Sequence, residues 1–318
     1  MEYGLVLRRV IVGSKLLVWL TCFFTGSCLS VLGADILRVA SYNVENYLEA
    51  PTETRPEGKS DAARAKVRES IRAMKPDIIA LEEIGSSNAL LELQSALKHE
   101  GLDLPNWEII TGADTNIHVA FLSRLPIVAR HPHTADEFLL DGRRMQVCRG
   151  FAEIELQVKP GRTYTLIAAH LKSRRTGLEV DQGEEREAEA KILRQIIDEH
   201  LKGNPEARLI VLGDLNDARN SSSTKTIIGR GRMRLTDTRP AERNGDNPAD
   251  VTARNPTRNV VWTHYFGYED SYSRIDYILI SPALLPSWLP AETYIPTIPN
   301  WGIGSDHRPI VAGFDISQ

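Results

Sequence analysis

The stretch Leu209-Ile-Val-Leu-Gly-Asp-Leu-Asn216 decides how this chain is read. Four apolar residues read as a buried strand that ends at Gly213. Asp214 and Asn216 are two residues apart, so both emerge on the same side of that strand. A carboxylate placed there can hold a hard cation or a polarised water, and an amide can orient an attacking oxygen or a phosphate oxygen. Turns commonly carry Gly, Asp and Asn, so these residues alone are a weak signal.

The signal strengthens because the pattern recurs. Asn43 follows Val39-Ala-Ser-Tyr42, Glu82 and Glu83 follow Ile78-Ile-Ala-Leu81, and His170 follows Leu166-Ile-Ala-Ala169. Asp276 lies inside Arg274-Ile-Asp-Tyr-Ile-Leu279, and Asp306 and His307 stand just before Pro309-Ile-Val311. Each is a polar group at or near the end of an apolar run. Between them, apolar periodicity predicts helices over Ser60–Met74, Ser87–Glu100 and Glu184–Leu201. Further strands are expected at Leu37–Val44, Asp77–Leu81, Trp107–Thr111, Ile117–Ser123, Phe151–Val158, Thr163–Ala169, Ile275–Ile280 and Pro309–Phe314. Several strands follow one another without a helix between them, which favours α/β with mixed or antiparallel sheets over a doubly wound parallel sheet. Two stacked sheets with helices outside fit this order. The polar stretch from Asn216 to Arg258 reads as long surface loops.

The chain has 318 residues, 42% hydrophobic and 25% charged, an ordinary globular composition with a net charge of −4. Arg8, Arg9 and Lys15 precede an apolar stretch, Leu16 to Leu32, closed by Gly33-Ala34. Residues 1–34 therefore read as a secretory signal peptide with cleavage near Ala34, and 35–318 as one catalytic domain. The stretch is interrupted by Thr21, Thr25, Gly26, Ser27 and Ser30, which argues against a membrane anchor. Cleavage would leave a more acidic protein with a single cysteine, Cys148, so no intrachain disulfide is expected. A net acidic chain does not bind nucleic acid by bulk charge and would need local basic patches or a bound cation.

The segments Ser41-Tyr-Asn-Val, Pro76-Asp-Ile-Ile-Ala-Leu-Glu-Glu, His170-Leu-Lys, Gly213-Asp-Leu-Asn, Arg274-Ile-Asp-Tyr-Ile-Leu and Ser305-Asp-His-Arg-Pro-Ile occur in one order across residues 36–315. In this the chain resembles the endonuclease/exonuclease/phosphatase superfamily, also called deoxyribonuclease I-like. The resemblance implies an α/β fold, a four-layer sandwich of two stacked mixed β-sheets flanked by helices, and divalent-metal-dependent phosphoester hydrolysis. It further implies that Glu83 ligates Mg²⁺ or Mn²⁺, with Ca²⁺ as another candidate, that Asn43 helps build the metal and phosphate site, and that Asp306 serves the metal or water side. Asp214 and Asn216 would orient the nucleophile and scissile phosphate, and Asp276 and His307 would form a carboxylate–histidine pair. His170 would contact phosphate or act as a second acid/base. One departure stands out: no clear counterpart exists for the upstream glutamate that pairs with the first histidine in pancreatic-type members. Asp114 and His118 lie in the plausible region.

Elementary chemistry agrees with this set. Phosphodiester cleavage needs neutralised phosphate charge, an in-line water and a stabilised leaving group. Mg²⁺ takes carboxylates, waters and substrate oxygens, which suits a site without thiols. A histidine whose tautomer is fixed by a carboxylate can move a proton near neutral pH. The expected mechanism is in-line attack by water, with His307 and Asp276 handling a proton and a Glu83-bound metal stabilising the developing charge. Blander roles remain open at this level: Asn43 as a turn cap, Glu82 as a solvated neighbour, Asp276 as a partner of Arg274, and Asp306 as a helix cap.

Arg143, Arg144 and Arg149 form one basic cluster, Lys172, Arg174 and Arg175 a second, and Arg230, Arg232 and Arg234 a third. Trp262, Tyr265, Phe266 and Tyr268 precede Asp276, where they either stack on bases or pack in the core. These features favour a secreted or periplasmic monomeric nuclease acting on DNA or RNA, with no obligate protein partner. A phosphatase or phospholipid phosphodiesterase of the same fold is the alternative, slightly disfavoured because no long apolar hairpin is evident. A noncatalytic binding module is the third reading.

Overall fold

The computed structural model describes residues 35–52, 56–174, 182–243 and 259–317. The signal-peptide reading of 1–34 and Arg175 of the second basic cluster lie outside the described residues.

Two sheets stack face to face. The seven-stranded sheet runs, in spatial order, through Ala241–Glu242, Trp288–Ile295, Ile310–Asp315, Ile36–Tyr47, Ile78–Ile84, His118–Ser123 and Asn106–Ile110. The six-stranded sheet runs through Thr236–Asp237, Asp276–Ile280, Leu209–Asp214, Arg162–His170, Phe151–Lys159 and Ile127–Arg130. Both are mixed. Ile36–Tyr47 pairs parallel with Ile78–Ile84 and antiparallel with Ile310–Asp315. Leu209–Asp214 pairs parallel with Arg162–His170 and antiparallel with Asp276–Ile280.

The central strands read as unbroken apolar runs because both their faces are buried. Val39, Ile78, Phe121, Leu166, Ile210 and Ile278 point into the layer between the sheets. Ala40, Tyr42, Ile79 and Leu81 point the other way, onto the helices Asp61–Met74 and Ser87–His99. Ile167, Leu209, Val211 and Leu279 point onto the helices Gln182–Gly203 and Ser222–Ile228. The result is the four-layer α/β sandwich expected from the sequence.

Local signals behave as expected with three exceptions. Ser60 caps the first helix by accepting from Ala63 N, and Val67, Ile71 and Met74 form its buried face. The second helix is capped by Ser86 rather than Ser87, whose neighbour accepts from both Asn88 N and Ala89 N. The stretch after Asn216 is not all loop: Ser222–Ile228 is a helix that buries Thr224, Ile227 and Ile228. Two turns are too few to declare a helical period. Trp288–Ile295 is a strand although Pro286 and Pro290 argue against one there.

Candidate active site

The strand register collects the polar strand ends into two rows. In the six-stranded sheet His170 pairs with Asp214, and Asp214 pairs with Asp276, so the three stand side by side. In the seven-stranded sheet Asn43 pairs with Glu82. The rows meet across the gap between the sheets, where Asn43 Nδ2 donates to Asp214 Oδ2 at 3.1 Å. Asp214 Oδ2 also accepts from Asn216 Nδ2 at 3.3 Å, and Oδ1 accepts from Asn216 N at 2.8 Å.

Gly213 makes this convergence possible. Its φ is +128°, and a Cβ there would lie 2.0 Å from the Ala169 carbonyl oxygen. Only glycine lets the strand carry Asp214 this close to its parallel neighbour.

Two consecutive glutamates face the same region because the strand is bulged between them. Register shifts occur between Glu82 and Ile84 and between Asn43 and Tyr47, and Glu83 has φ +65°. The bulge cancels the usual alternation of side chains. Glu83 Oε1 accepts from Asn43 Nδ2 at 3.2 Å, and Oε2 accepts from Asn46 N at 2.9 Å. Glu82 is not a solvated neighbour: it is wholly buried and accepts from Ser41 Oγ at 3.0 Å.

Ser305 fastens the last segment. Its hydroxyl donates to Asn43 O at 2.7 Å and accepts from His307 N at 3.0 Å. His307 Nδ1 then lies 3.0 and 3.1 Å from the two Asp276 oxygens, which fixes the ring and presents Nε2 to the pocket. His307 Nε2 is 3.7 Å from Asp214 Oδ2 and 3.8 Å from Asp306 Oδ1. His170 Nε2 stands 3.5 Å from Asp214 Oδ2 and 4.0 Å from Glu83 Oε1.

The electrostatics are those of a crowded acid centre. Burial, with Asp276 beside it, pushes the Asp214 carboxyl up to about 7. Burial and the same acids hold Glu82 well above the usual carboxylate range. Burial opposes charge on His307, but Asp276 and Asp214 outweigh it and hold the imidazole well above its ordinary value. Asp306 is resisted by burial yet drawn below its ordinary value by His264 and His307. Glu45 is raised by burial and by Asp306 and Glu83, with Lys59 opposing.

All eight site residues expected from the sequence gather here. Glu83 and Asn43 touch directly, while Asp306 reaches in from the other wall, nearest the histidines. The donor set fits a hard divalent cation. Asp306 and Glu83 both repel Glu45, Glu82 Oε2 has no hydrogen-bond partner among the described residues, and no thiol is among the pocket's lining residues.

Several alternatives from the sequence are settled differently. Arg274 pairs with Asp237, at 2.5 and 2.8 Å, and leaves Asp276 to His307. Asp114 faces Arg149 at 3.6 Å, and His118 Nδ1 meets Ile84 O, so neither partners His170. The first basic cluster divides: Arg143 and Arg144 are exposed on a hairpin, whereas Arg149 is 7% exposed and lines the pocket.

The pocket encloses about 590 Å³ and is lined by Glu83, Arg149, His170, Arg174, Asp214, Asn216, His264, Phe266, Asp306 and His307 among others. His264 and Phe266 come from a small hairpin, His264–Phe266 with Ser271–Ser273, whose Tyr268 and Tyr272 are also exposed. The sequence groups Arg149 with Arg143 and Arg144 as one basic cluster and gives no sign that it alone turns inward, and His264 carries no sequence signal at all. A three-residue strand gives no periodic signal.

The family model for the Endonuclease/Exonuclease/phosphatase family matches residues 40–307. Among solved structures, the human Nocturnin catalytic domain with bound sulfate aligns with a TM-score of 0.59 at 17% identity, covering 88% of this chain and 94% of its own. Beta toxin from Staphylococcus aureus aligns at 0.59 and 18% identity, covering 87% and 99%. Sphingomyelinase C from Streptomyces griseocarneus aligns at 0.56 and 18% identity, covering 88% and 99%. No curated protein sequence matches. At these identities the structural likeness speaks for the fold; the family match, spanning every strand end of the pocket, speaks for the chemistry. The chain belongs to the endonuclease/exonuclease/phosphatase family and is a metal-dependent phosphoester hydrolase.

Proposed function

We propose that this enzyme is a Mg²⁺-dependent phosphodiesterase that cleaves DNA or RNA outside the cytoplasm. The observation that carries the substrate reading is the lining of the pocket: Arg149 and Arg174 share it with the acid centre, together with the exposed Phe266. Guanidinium groups suit phosphate oxygens, and an aromatic face suits an unpaired base.

Glu83, Asn43 and Asp306 are the residues that would hold Mg²⁺, which when bound neutralises charge on the phosphate. The remaining chemistry belongs to the side chains. Asn43 and Asn216 fix Asp214, whose raised carboxyl accepts the proton of the attacking water near neutral pH. His307, held by Asp276, presents a charged Nε2–H that binds the phosphate and supports its developing charge. His170 keeps its Nε2 toward Asp214 and Glu83, so it contacts phosphate from the other side. Export rests on the character of residues 1–34, and the test is N-terminal sequencing of protein recovered outside the cell: a start at residue 35 supports it, an intact Met1 refutes it.

The activity is tested on supercoiled plasmid, single-stranded DNA and RNA, and bis(p-nitrophenyl) phosphate, with Mg²⁺ or EDTA, beside His307→Ala. Nicking or strand cleavage that needs metal and is lost in the variant supports the reading. Hydrolysis of the small diester with no cleavage of any polymer would move the substrate to a lipid or small phosphodiester. The exposed Phe266, Tyr268 and Tyr272 on one hairpin give that second reading its own support, since aromatic side chains also favour membrane interfaces. Vesicles containing a phosphocholine lipid are its substrate test.

A further inference from the structure

The site described so far leaves one side chain without a task. His264 lies on the aromatic hairpin, and the hairpin's base is bonded to the catalytic segment: Tyr265 N donates to Asp306 O at 3.0 Å, and Arg308 N donates to Thr263 O at 2.6 Å. A β-bridge pairs His264 with His307, and their rings stand 4.6 Å apart between centroids.

We infer that His264, Asp306 and His307 form a second cation site, selective for Zn²⁺ or a similar borderline metal, that inhibits the enzyme by occupying His307. The inference rests on the reading of His307 as part of the catalytic machinery.

Geometry carries it. One ligand atom from each of the three residues lies within 4.8 Å of the others. His264 Nε2 is 3.5 Å from Asp306 Oδ2, and His307 Nε2 is 3.8 Å from Asp306 Oδ1. Zinc bonds nitrogen and oxygen at about 2.0–2.1 Å, so ligand atoms in a tetrahedral shell stand about 3.3 Å apart. These pairs need only small side-chain shifts to reach that spacing.

The second row of contacts supports the same conclusion. Metal-binding histidines usually engage their other nitrogen with a carboxylate, carbonyl or similar acceptor. Here His307 Nδ1 is held by Asp276 at 3.0 Å, and His264 Nδ1 meets Ser273 Oγ at 3.3 Å across the hairpin. Both rings are thereby turned with Nε2 toward Asp306.

The two sites share Asp306, and the rest of the donor set separates this one from the one for Mg²⁺. Glu83, held by the Asn43 amide, offers carboxylate oxygens, which suit a hard cation. Two imidazoles and one carboxylate suit a borderline transition metal, and the open pocket leaves a fourth position for water. A zinc ion bound there displaces the Nε2 proton of His307 to solvent, takes the lone pair this frees, and removes that nitrogen from the phosphate. Turnover supported by Mg²⁺ should then fall as zinc is added.

The test is zinc binding by the protein lacking residues 1–34, in excess Mg²⁺, by competition with a chromophoric chelator. This readout needs no substrate, so it stands even if the nucleic-acid reading fails. The wild type should bind one Zn²⁺, and His264→Gln should weaken that binding at least about tenfold. Zinc inhibition of diester hydrolysis should weaken in parallel. Equal zinc affinity in wild type and His264→Gln would overturn the inference, as would wild-type stoichiometry well below one. Should His264→Gln fail to fold, the Co²⁺-loaded wild type decides: intense visible bands of a four-coordinate, nitrogen-ligated ion support the site, and weak six-coordinate bands refute it.

Discussion

Asn43 and Asp214, 171 positions apart in sequence, share a 3.1 Å hydrogen bond that joins the two sheets at the candidate active site. The same Asn43 amide donates to Glu83, so one side chain positions both the candidate base and the candidate metal ligand. Asn43→Ala should lower kcat on the order of 10²-fold, comparable with removing one preorganised donor. It should also weaken Mg²⁺ binding. Calorimetric titration with Mg²⁺ beside steady-state kinetics checks both, and unchanged metal affinity would sever the proposed link.

Asp214 carries a stability cost that grows with pH. Its folded-state carboxyl is raised from 3.8 to about 7, so ionising it opposes folding. The sign follows directly: the cost is absent below its unfolded value, grows as pH rises, and is complete above about 7. Asp214→Asn should therefore raise the melting temperature in EDTA at pH 8, have little effect at pH 4, and abolish turnover. Thermal melts at the two pH values measure it; a loss of stability at pH 8 would contradict the assignment.

Asp276 acts through His307, which its two oxygens hold at 3.0 and 3.1 Å. His307→Ala should lower kcat by roughly 10²–10⁴-fold with the fold intact. Asp276→Asn should cost less and shift the pH–rate profile, because the imidazole loses the charge that raises it. Near-normal turnover in His307→Ala, or an unshifted profile in Asp276→Asn, would refute these roles.

Gly213→Ala should be far more damaging than a typical glycine substitution. The new methyl would meet the Ala169 carbonyl at 2.0 Å from a backbone with φ +128°. A destabilisation of about 2–4 kcal/mol is expected, with the central strands forced apart at the catalytic row. Urea denaturation of the variant provides the number; a loss below about 0.5 kcal/mol, the range of surface changes, would show that the strand slides freely.

Away from the pocket, Glu153 is buried between His133 and His200, at 2.9 and 3.0 Å. Burial resists its charge, but the two histidines hold the carboxyl down at about 2, and its hydrogen bonds raise both histidines. The glutamate's contribution is present above about 4.5 and disappears as pH falls through about 2. The histidines contribute fully below about 6.5 and lose it as pH rises through their raised values. Glu153→Gln should therefore cost most stability between about pH 4.5 and 6.5, with a melting shift of roughly 2–4 °C per kcal/mol lost. A pH-independent shift would assign the cluster to packing alone.

Much of the fold was readable because the central strands are covered on both faces. Ile78–Leu81 and Leu209–Leu212 stand out as apolar runs, and the polar residue ending each run is the residue the register places in the pocket. What could not be read depends on backbone irregularity or long-range pairing. The choice of Glu83 over Glu82 rests on the family resemblance, since the bulge between them leaves no trace in the apolar pattern. The inward turn of Arg149 is invisible beside exposed Arg143 and Arg144. His264 is defined only by its bridge to His307, 43 residues on in a different segment.

Neither sheet holds a working centre by itself. One brings Asn43 and Glu83, the other His170, Asp214 and Asp276, and the segment carrying His307 is fastened to the first while its ring is held by the second. Catalytic competence is therefore an all-or-none property of the docked tertiary structure. A nascent chain, with its halves apart, has no means of cutting phosphoesters. For an enzyme with this chemistry, latency before folding is built into the architecture and needs no inhibitor or propeptide.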